Sequence, residues 1–428
     1  MKVRVLSILF SLSCFFAVCA NAFELPKIHG FSENAAGVKI SEDDKANKRG
    51  INLFEQRMQF KLRYFPDRIT VLEDWQTEVF LKADALMDEY AERFFLNLKE
   101  AYITSTPFDF LDIKVGRQVL TWGTGDYVFI NDMFPKDYES FLIGREDEYL
   151  KRPSYALRAM FFSQIATLDI AVIPYFTPNK AVTGDRLSFF DPLRAGIVGR
   201  VSDRKLLRPP FQFENTEAAF RLYGTLDSYE WAGYYFRGFY KNPMGYKEEA
   251  NSILYYPELD VFGASLRGPV PILGGIVNGE LGYFNSREDT AGKDRLIPNP
   301  SMKYLIGYKR SFKNDLEIGL QYYLDHMLYW DNYKESLLAQ DSRDDEVYQQ
   351  YSLRITKLMA RQTLRLSFFT FYSPVDNDIY LRPLIQWDAT DRWKVSLGAN
   401  IFIGQQTNGD YSQYTGNNNI YTRVRYSF

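Results

Sequence analysis

The sequence predicts a closed antiparallel β-barrel set in a bacterial outer membrane. Three observations lead there: an export leader, repeated runs alternating apolar and ionic residues, and a last strand ending in phenylalanine.

The leader comes first. Lys2 and Arg4 head an apolar stretch from Val5 to Ala20, and Ala20-Asn21-Ala22 is a small-x-small site, so residues 1–22 are expected to be a signal peptide cleaved after Ala22. Both cysteines, Cys14 and Cys19, fall in that segment, which excludes disulfides and thiolate metal sites from the rest of the chain. No later stretch reaches the ~20 apolar residues of a spanning helix. Aromatic residues make up 17% of the chain, with 31 Tyr and 34 Phe, a proportion that suits a barrel with aromatic girdles better than a soluble core. Without a Pro/Ser linker or low-complexity tract, residues 23–428 are read as one barrel domain with long external loops.

Residues 53–64 carry the clearest alternation. Phe54, Met58, Phe60, Leu62 and Tyr64 interleave with Glu55, Arg57, Gln59, Lys61 and Arg63. Comparable runs are read at 70–86, 91–104, 109–121, 154–164, 166–176, 212–226, 228–241, 258–268, 275–285, 301–312, 314–329, 346–359, 361–373, 377–388, 391–403 and 419–428. Together with 51–64 these give an odd total, whereas single-chain bacterial barrels have even counts with tight turns on the periplasmic side. A further strand near 28–40 restores parity. It places tight turns at Pro66-Asp67, Ser105-Thr106, Gln164-Ile165, Asp227-Ser228, Lys313-Asn314, Ala360-Arg361 and Thr390-Asp391 on one side, with the long connections on the other. The reading is therefore 18 strands, with 16 as the fallback and both termini periplasmic. In the final strand Ile420, Thr422, Val424, Tyr426 and Phe428 share a face, and Phe428 resembles the signal read by the outer-membrane barrel assembly machinery.

Backbone groups in hydrocarbon must be paired, which closure achieves, so the apolar face meets lipid and the ionic face lines the lumen. This rule assigns to the lumen Arg57, Lys61, Arg63, Lys82, Lys114, Arg158, Arg221, Arg237, Arg267, Lys309, Arg354, Arg365, Arg382, Lys394, Arg423 and Arg425. The acids there are fewer: Glu55, Glu78, Asp84, Asp112, Asp169, Glu217, Glu280, Glu317 and Asp388. With a formal net charge of −3, the missing acids belong to loops such as 136–152 and 341–346. A basic wall favours anions.

The loop at 122–152 is the expected constriction. Its aromatic and apolar residues from Trp122 to Pro135 suit an inward fold, or else a lid packed among loops, and Gly123 and Gly125 allow the reversal in either case. Trp122, Asp126, Asp132, Arg145 and Arg152 are its candidate residues. The strand before it ends Gly116-Arg117-Gln118-Val119-Leu120-Thr121-Trp122-Gly123, a G-R-Q-x-x-x-W-G pattern that resembles porin-like proteins related to the alginate-export barrel family. That resemblance implies an 18-stranded barrel with a basic lumen that passes an acidic polysaccharide. The motif spans a few residues, and this chain is shorter than a dedicated exporter. Arg117 falls on the apolar parity, so either a bulge at Gly116 turns it inward or it reaches past the rim.

Enzyme chemistry has little to work with: His29 and His326 are the only histidines, and no G-x-S-x-G nucleophile turn is present. Asp341, Asp344, Asp345 and Glu346 lack the spacing of a defined Ca²⁺ site, and no cofactor, metal or nucleic-acid motif is found. The expectation is a non-enzymatic outer-membrane channel for diffusion or export of anionic or polar solutes, in contact with lipid and lipopolysaccharide. The alternatives are an exporter of an acidic polysaccharide and a barrel-anchored receptor or adhesin.

Overall fold

A computed structural model describes residues 28–42, 50–66, 70–199, 205–247, 253–338 and 343–428. The leader and Asp341 lie outside these residues. Eighteen strands form one sheet. They are β1 (Ile28–Lys39), β2 (Ile51–Tyr64), β3 (Glu78–Asp88), β4 (Arg93–Phe108), β5 (Leu111–Val119), β6 (Pro153–Phe162), β7 (Thr167–Ile173), β8 (Glu217–Leu226) and β9 (Tyr229–Phe239). The second half comprises β10 (Glu258–Val270), β11 (Gly275–Ser286), β12 (Ser301–Phe312), β13 (Leu316–Met327), β14 (Val347–Met359), β15 (Leu364–Ser373), β16 (Asp378–Asp388), β17 (Trp393–Ile403) and β18 (Asn419–Ser427).

Each strand pairs antiparallel with its neighbours in sequence, and β1 pairs with β18 to close the barrel. The seam is completed by Phe428, whose N–H donates to the Gly30 carbonyl at 3.0 Å while its own carbonyl accepts from Gly30 N–H at 3.0 Å. No strand edge is left at the seam, as hydrocarbon requires. Alternation decides the faces: on β2, Phe54, Met58 and Phe60 are exposed outside, whereas Glu55, Arg57 and Gln59 are buried inside.

The connections sort by end. At one end the chain mostly reverses over a few residues, as at Asp227 and Asp315, both held in the left-handed region with φ 53° and 56°. The exception is the connection between Tyr64 and Glu78, which carries a short helix where a tight turn at Pro66-Asp67 was expected; Asp67 lies outside the described residues. The long connections 120–152, 174–216, 240–257, 287–300, 328–346 and 404–418 all lie at the other end. β1 starts and β18 finishes at the tight-turn end.

Three strand boundaries differ from expectation. The predicted strand 70–86 begins with a short helix, Thr70–Asp74, and β3 starts only at Glu78. The Trp75 carbonyl after that helix accepts the Thr106 N–H at 2.7 Å, which lays the helix along the end of β4. The turn expected at Ser105-Thr106 is instead an irregularity within β4, which runs on to Phe108. The start of the predicted strand 212–226 is a 3₁₀ turn, Phe213–Asn215.

Candidate functional site

After β5 the chain turns into the barrel rather than over its rim. Trp122, Val128, Ile130, Phe134, Phe141 and Ile143 of this loop are buried in one cluster with wall residues drawn from around the circumference, among them Leu53, Ala219, Phe236, Phe284 and Tyr380. A soluble protein would make such a core between layers. Here it forms between a loop and the inner wall. Gly123 takes the left-handed conformation (φ 82°) that starts the reversal.

The reversal is pinned by Glu280 on β11. Its carboxylate accepts from the amides of Thr124 and Gly125 (2.9 Å to Gly125), from the Thr124 hydroxyl at 2.9 Å, and from the Asn131 amide and side chain at 3.3 and 3.0 Å. Alternation along β11 alone places Glu280 in the lumen without this role; the Thr124-Gly125 run in the loop, rich in unencumbered N–H groups, is the only trace it leaves.

The candidate loop residues are each tied to a partner. The Trp122 indole donates to Asp169 at 3.1 Å and its ring meets Phe134 edge-on at 5.0 Å. Asp126 pairs with Arg354, with 2.8 Å between Nη2 and Oδ1. Asp132 is 2.9 Å from Lys136 Nζ. Arg145 holds Glu55 of β2. Arg152 stays at the rim, where it donates to the Pro178 carbonyl.

The carboxylates of 136–152 therefore do not leave the lumen, contrary to the expected segregation. Glu146 lies 3.3 Å from Arg423 and 3.8 Å from Arg425, Asp147 3.2 Å from Arg382, and Glu148 2.9 Å from Lys82. Further cations pair along the wall: Arg57 with Asp84 at 2.6 Å, Arg158 with Asp169 at 2.6 Å, Arg425 with Glu33 at 2.6 Å, Lys309 with Glu317 at 2.8 Å, and Arg63 with Glu78 at 3.4 Å near the tight-turn mouth. Lys394 reaches Asp388 at 3.9 Å. Among the described residues Lys61, Lys114, Arg221, Arg267 and Arg365 form no ion pair; Lys114 sits over the Tyr102 ring at 3.5 Å and Arg221 over Tyr223 at 4.0 Å.

Arg237 does not face the lumen. It is exposed on the outer face of β9, where it pairs in register with Ala218 and Asp260, while Ala232, Tyr234 and Phe236 point inward and are buried. The loop's aromatic core demands apolar partners from the wall at this point. The rule that ionic residues face inward consequently inverts locally.

Burial would raise the Asp147 carboxyl, but Arg382 and the Tyr127 hydroxyl outweigh it and hold the group below its ordinary 3.8. Glu148 is likewise held below 4.5 by Lys82 against the effect of burial. Both loop carboxylates thus favour the charged, wall-bound form.

The loop divides the interior. On the long-loop side lies a cavity of about 1180 Å³, whose lining includes Arg57, Arg145, Tyr149 and Arg186. On the tight-turn side lies one of about 450 Å³, bordered by Asp126, Arg267, Lys309, Arg354 and Arg365. A space of about 60 Å³ around Arg382 and Arg423 lies beside it and shares the lining residues Tyr127, Asp147, Arg354 and Arg365. Arg145 lines both the outer cavity and this small space. His326, at the outer end of β13, is 3.7 Å from Glu346, and among the described residues no group of three or more His, Cys, Asp or Glu could hold a metal ion.

An eighteen-stranded closed sheet with an apolar outside and an ionic inside defines a bacterial outer-membrane barrel of the porin type. Its fold is similar to that of Pseudomonas aeruginosa OccK11 (OpdR), with TM-score 0.51 and 10% identity over 94% of this chain and 95% of that one. The outer membrane channel DcaP of Acinetobacter baumannii matches over 94% of this chain and 96% of its own at 10% identity and TM-score 0.43. A Rhodopseudomonas blastica porin mutant matches over 94% and 100% at 9% identity and TM-score 0.42. No family model matches the chain and no curated protein matches it.

Proposed function

We propose that the protein is a passive outer-membrane channel for small anionic or polar solutes, with the 120–152 loop as its constriction. The observation that carries this reading is the position of Arg145 between the outer cavity and the inner spaces, with the unpaired cations Arg267 and Arg365 beyond it. Most wall cations are matched by carboxylates, so the selectivity of the path falls to the few that are not. A spaced series of cations attracts an anion without trapping it.

Passage of a polysaccharide would require the loop to leave its packed core, and no observation favours an adhesin over a channel. Phe428, exposed at the tight-turn end beside Phe60, suits an assembly signal, with that end periplasmic. The test is the reversal potential of the purified protein in a planar bilayer under a potassium chloride gradient. The wild type is expected to prefer chloride, and Arg267→Glu with Arg365→Glu is expected to move the potential toward potassium. A potential unmoved by both charge reversals rejects the proposed path.

A further inference from the structure

The barrel wall is notched between β4 and β5. β4 pairs with β3 from Arg93 to Thr104, but β5 pairs with it only from Ala101 downward and stops at Val119, where the chain dives inward. Arg93–Glu100 therefore present a free edge. Two side chains finish the ladder where the strands part: Arg117 Nε donates to the Leu98 carbonyl at 2.8 Å, and the Val119 amide donates to Glu100 at 3.3 Å. Arg117 thus stays on the outward face, over Tyr155 at 5.3 Å, and is not turned in by Gly116.

Two features make the notch more than a step in the rim. Phe94, Leu96 and Leu98 are 64%, 78% and 40% exposed on the lipid side, and Phe94 pairs in register with the outward Met87, so the apolar belt runs past the free edge. Unpaired backbone at that depth is costly unless something polar reaches it. The large outer cavity also extends to the notch, since its lining includes the inward Arg57 and Arg145 together with the outward Arg117 and the rim residues Arg152 and Pro153.

Cations are in excess at the notch. Arg93, Lys99, Arg117 and Arg152 border the cavity there and form no ion pair among the described residues. The acids next to them in sequence are Glu92 and Glu100, and Glu100 accepts the Val119 amide. Of the other acids on the cavity lining, Asp88 pairs with Arg186, and Asp137 and Glu139 pair with Lys180. Lys99 is the extra residue of a bulge, because Lys82 pairs with Glu100 and Ala83 with Leu98, and its ammonium lies 4.6 Å over the Tyr149 ring inside. Phe95, on the cavity side, adds an apolar contact beside these cations.

We propose that the notch is a lateral binding site for an amphipathic anion: a carboxylate or phosphate headgroup held in the cavity by Arg93, Lys99 and Arg152, with its acyl chain leaving sideways across Phe94, Leu96 and Leu98. Neither a small hydrophilic ion nor a neutral lipid uses both halves. The inference is independent of whether ions cross the lumen. Such a ligand can come from the water, as a fatty acid, or from the outer leaflet, as an anionic glycolipid.

The test uses the full-length mature barrel in phosphatidylcholine nanodiscs and dodecanoate carrying a photoreactive group at its tail. Crosslinks are expected to concentrate at residues 94–98, with competition from unlabelled dodecanoate and none from acetate or dodecanol. Arg93→Glu with Lys99→Glu is expected to lower labelling at least ten-fold, with heat-modifiable gel migration as the folding control. Competition by lipid A assigns the site to a membrane lipid, and its failure to compete assigns it to a water-borne fatty acid. Labelling spread evenly around the lipid belt, or acetate competing as well as dodecanoate, overturns the proposal even if the double variant does not fold.

Discussion

Arg145 of the inward loop grips Glu55 of β2 with its Nε 3.2 and 3.0 Å from the two carboxylate oxygens. Arg145 lines both the outer cavity and the small space beside the inner one. Breaking a buried pair by removing one partner costs about 3–5 kcal/mol. Arg145→Met is expected at the low end of that range, since Arg57 and Arg186 remain 3.3 and 3.4 Å from Glu55. Thermal unfolding should show the loss, and single-channel conductance should rise as the guanidinium vacates the junction.

Glu280→Ala removes the acceptor shared by Thr124, Gly125 and Asn131. A buried donor left unsatisfied costs about 1–3 kcal/mol. The loop's first turn is expected to loosen while the barrel stays closed, giving noisier currents with added open substates at unchanged strand content by circular dichroism. Quiet, wild-type-like currents would show that Glu280 does not hold the loop.

Acid should release the loop. Asp147 and Glu148 are held below their ordinary 3.8 and 4.5 by Arg382 and Lys82, so their attachment is complete above those values and is lost as pH falls through the lowered ones. Conductance is expected to be flat between pH 7 and pH 5, with open events multiplying only below about pH 4. A transition centred near pH 6 would place the switch in other groups.

Arg237→Glu is a control for wall polarity. Because this side chain is exposed on the outer face of β9, the substitution should leave the reversal potential unchanged, in contrast to charge reversal at Arg267 and Arg365. A shift equal to theirs would put Arg237 on the ion path.

The strand count, the parity of the loops and the inward face of most strands were legible because alternation at period two is imposed separately on every strand by lipid and water. Arg57, Arg354 and Arg425 follow that rule. It failed at Arg237 because the inner wall there faces the aromatic loop rather than water, and nothing in β9 itself declares what will pack against it. The short helix at Thr70–Asp74 escaped for a related reason: Val71 and Trp75 fit a strand as well as one helical turn. Arg117 was seen to be out of place, but the free edge it serves depends on how far β5 climbs beside β4, a register that no single strand encodes.

In the proposed channel a continuous aqueous path runs past Arg145 from the outer cavity to the inner one. Outside positions 14 and 19 the chain has no cysteine, so Thr356→Cys, on the lining of the inner cavity, supplies a single reporter. A negatively charged methanethiosulfonate is then added to one side of the bilayer at a time while the current is recorded. Block is expected from the long-loop side as well as from the tight-turn side, slower from the former and accelerated by Arg145→Met; block from the tight-turn side alone, in both proteins, would show that no such path exists.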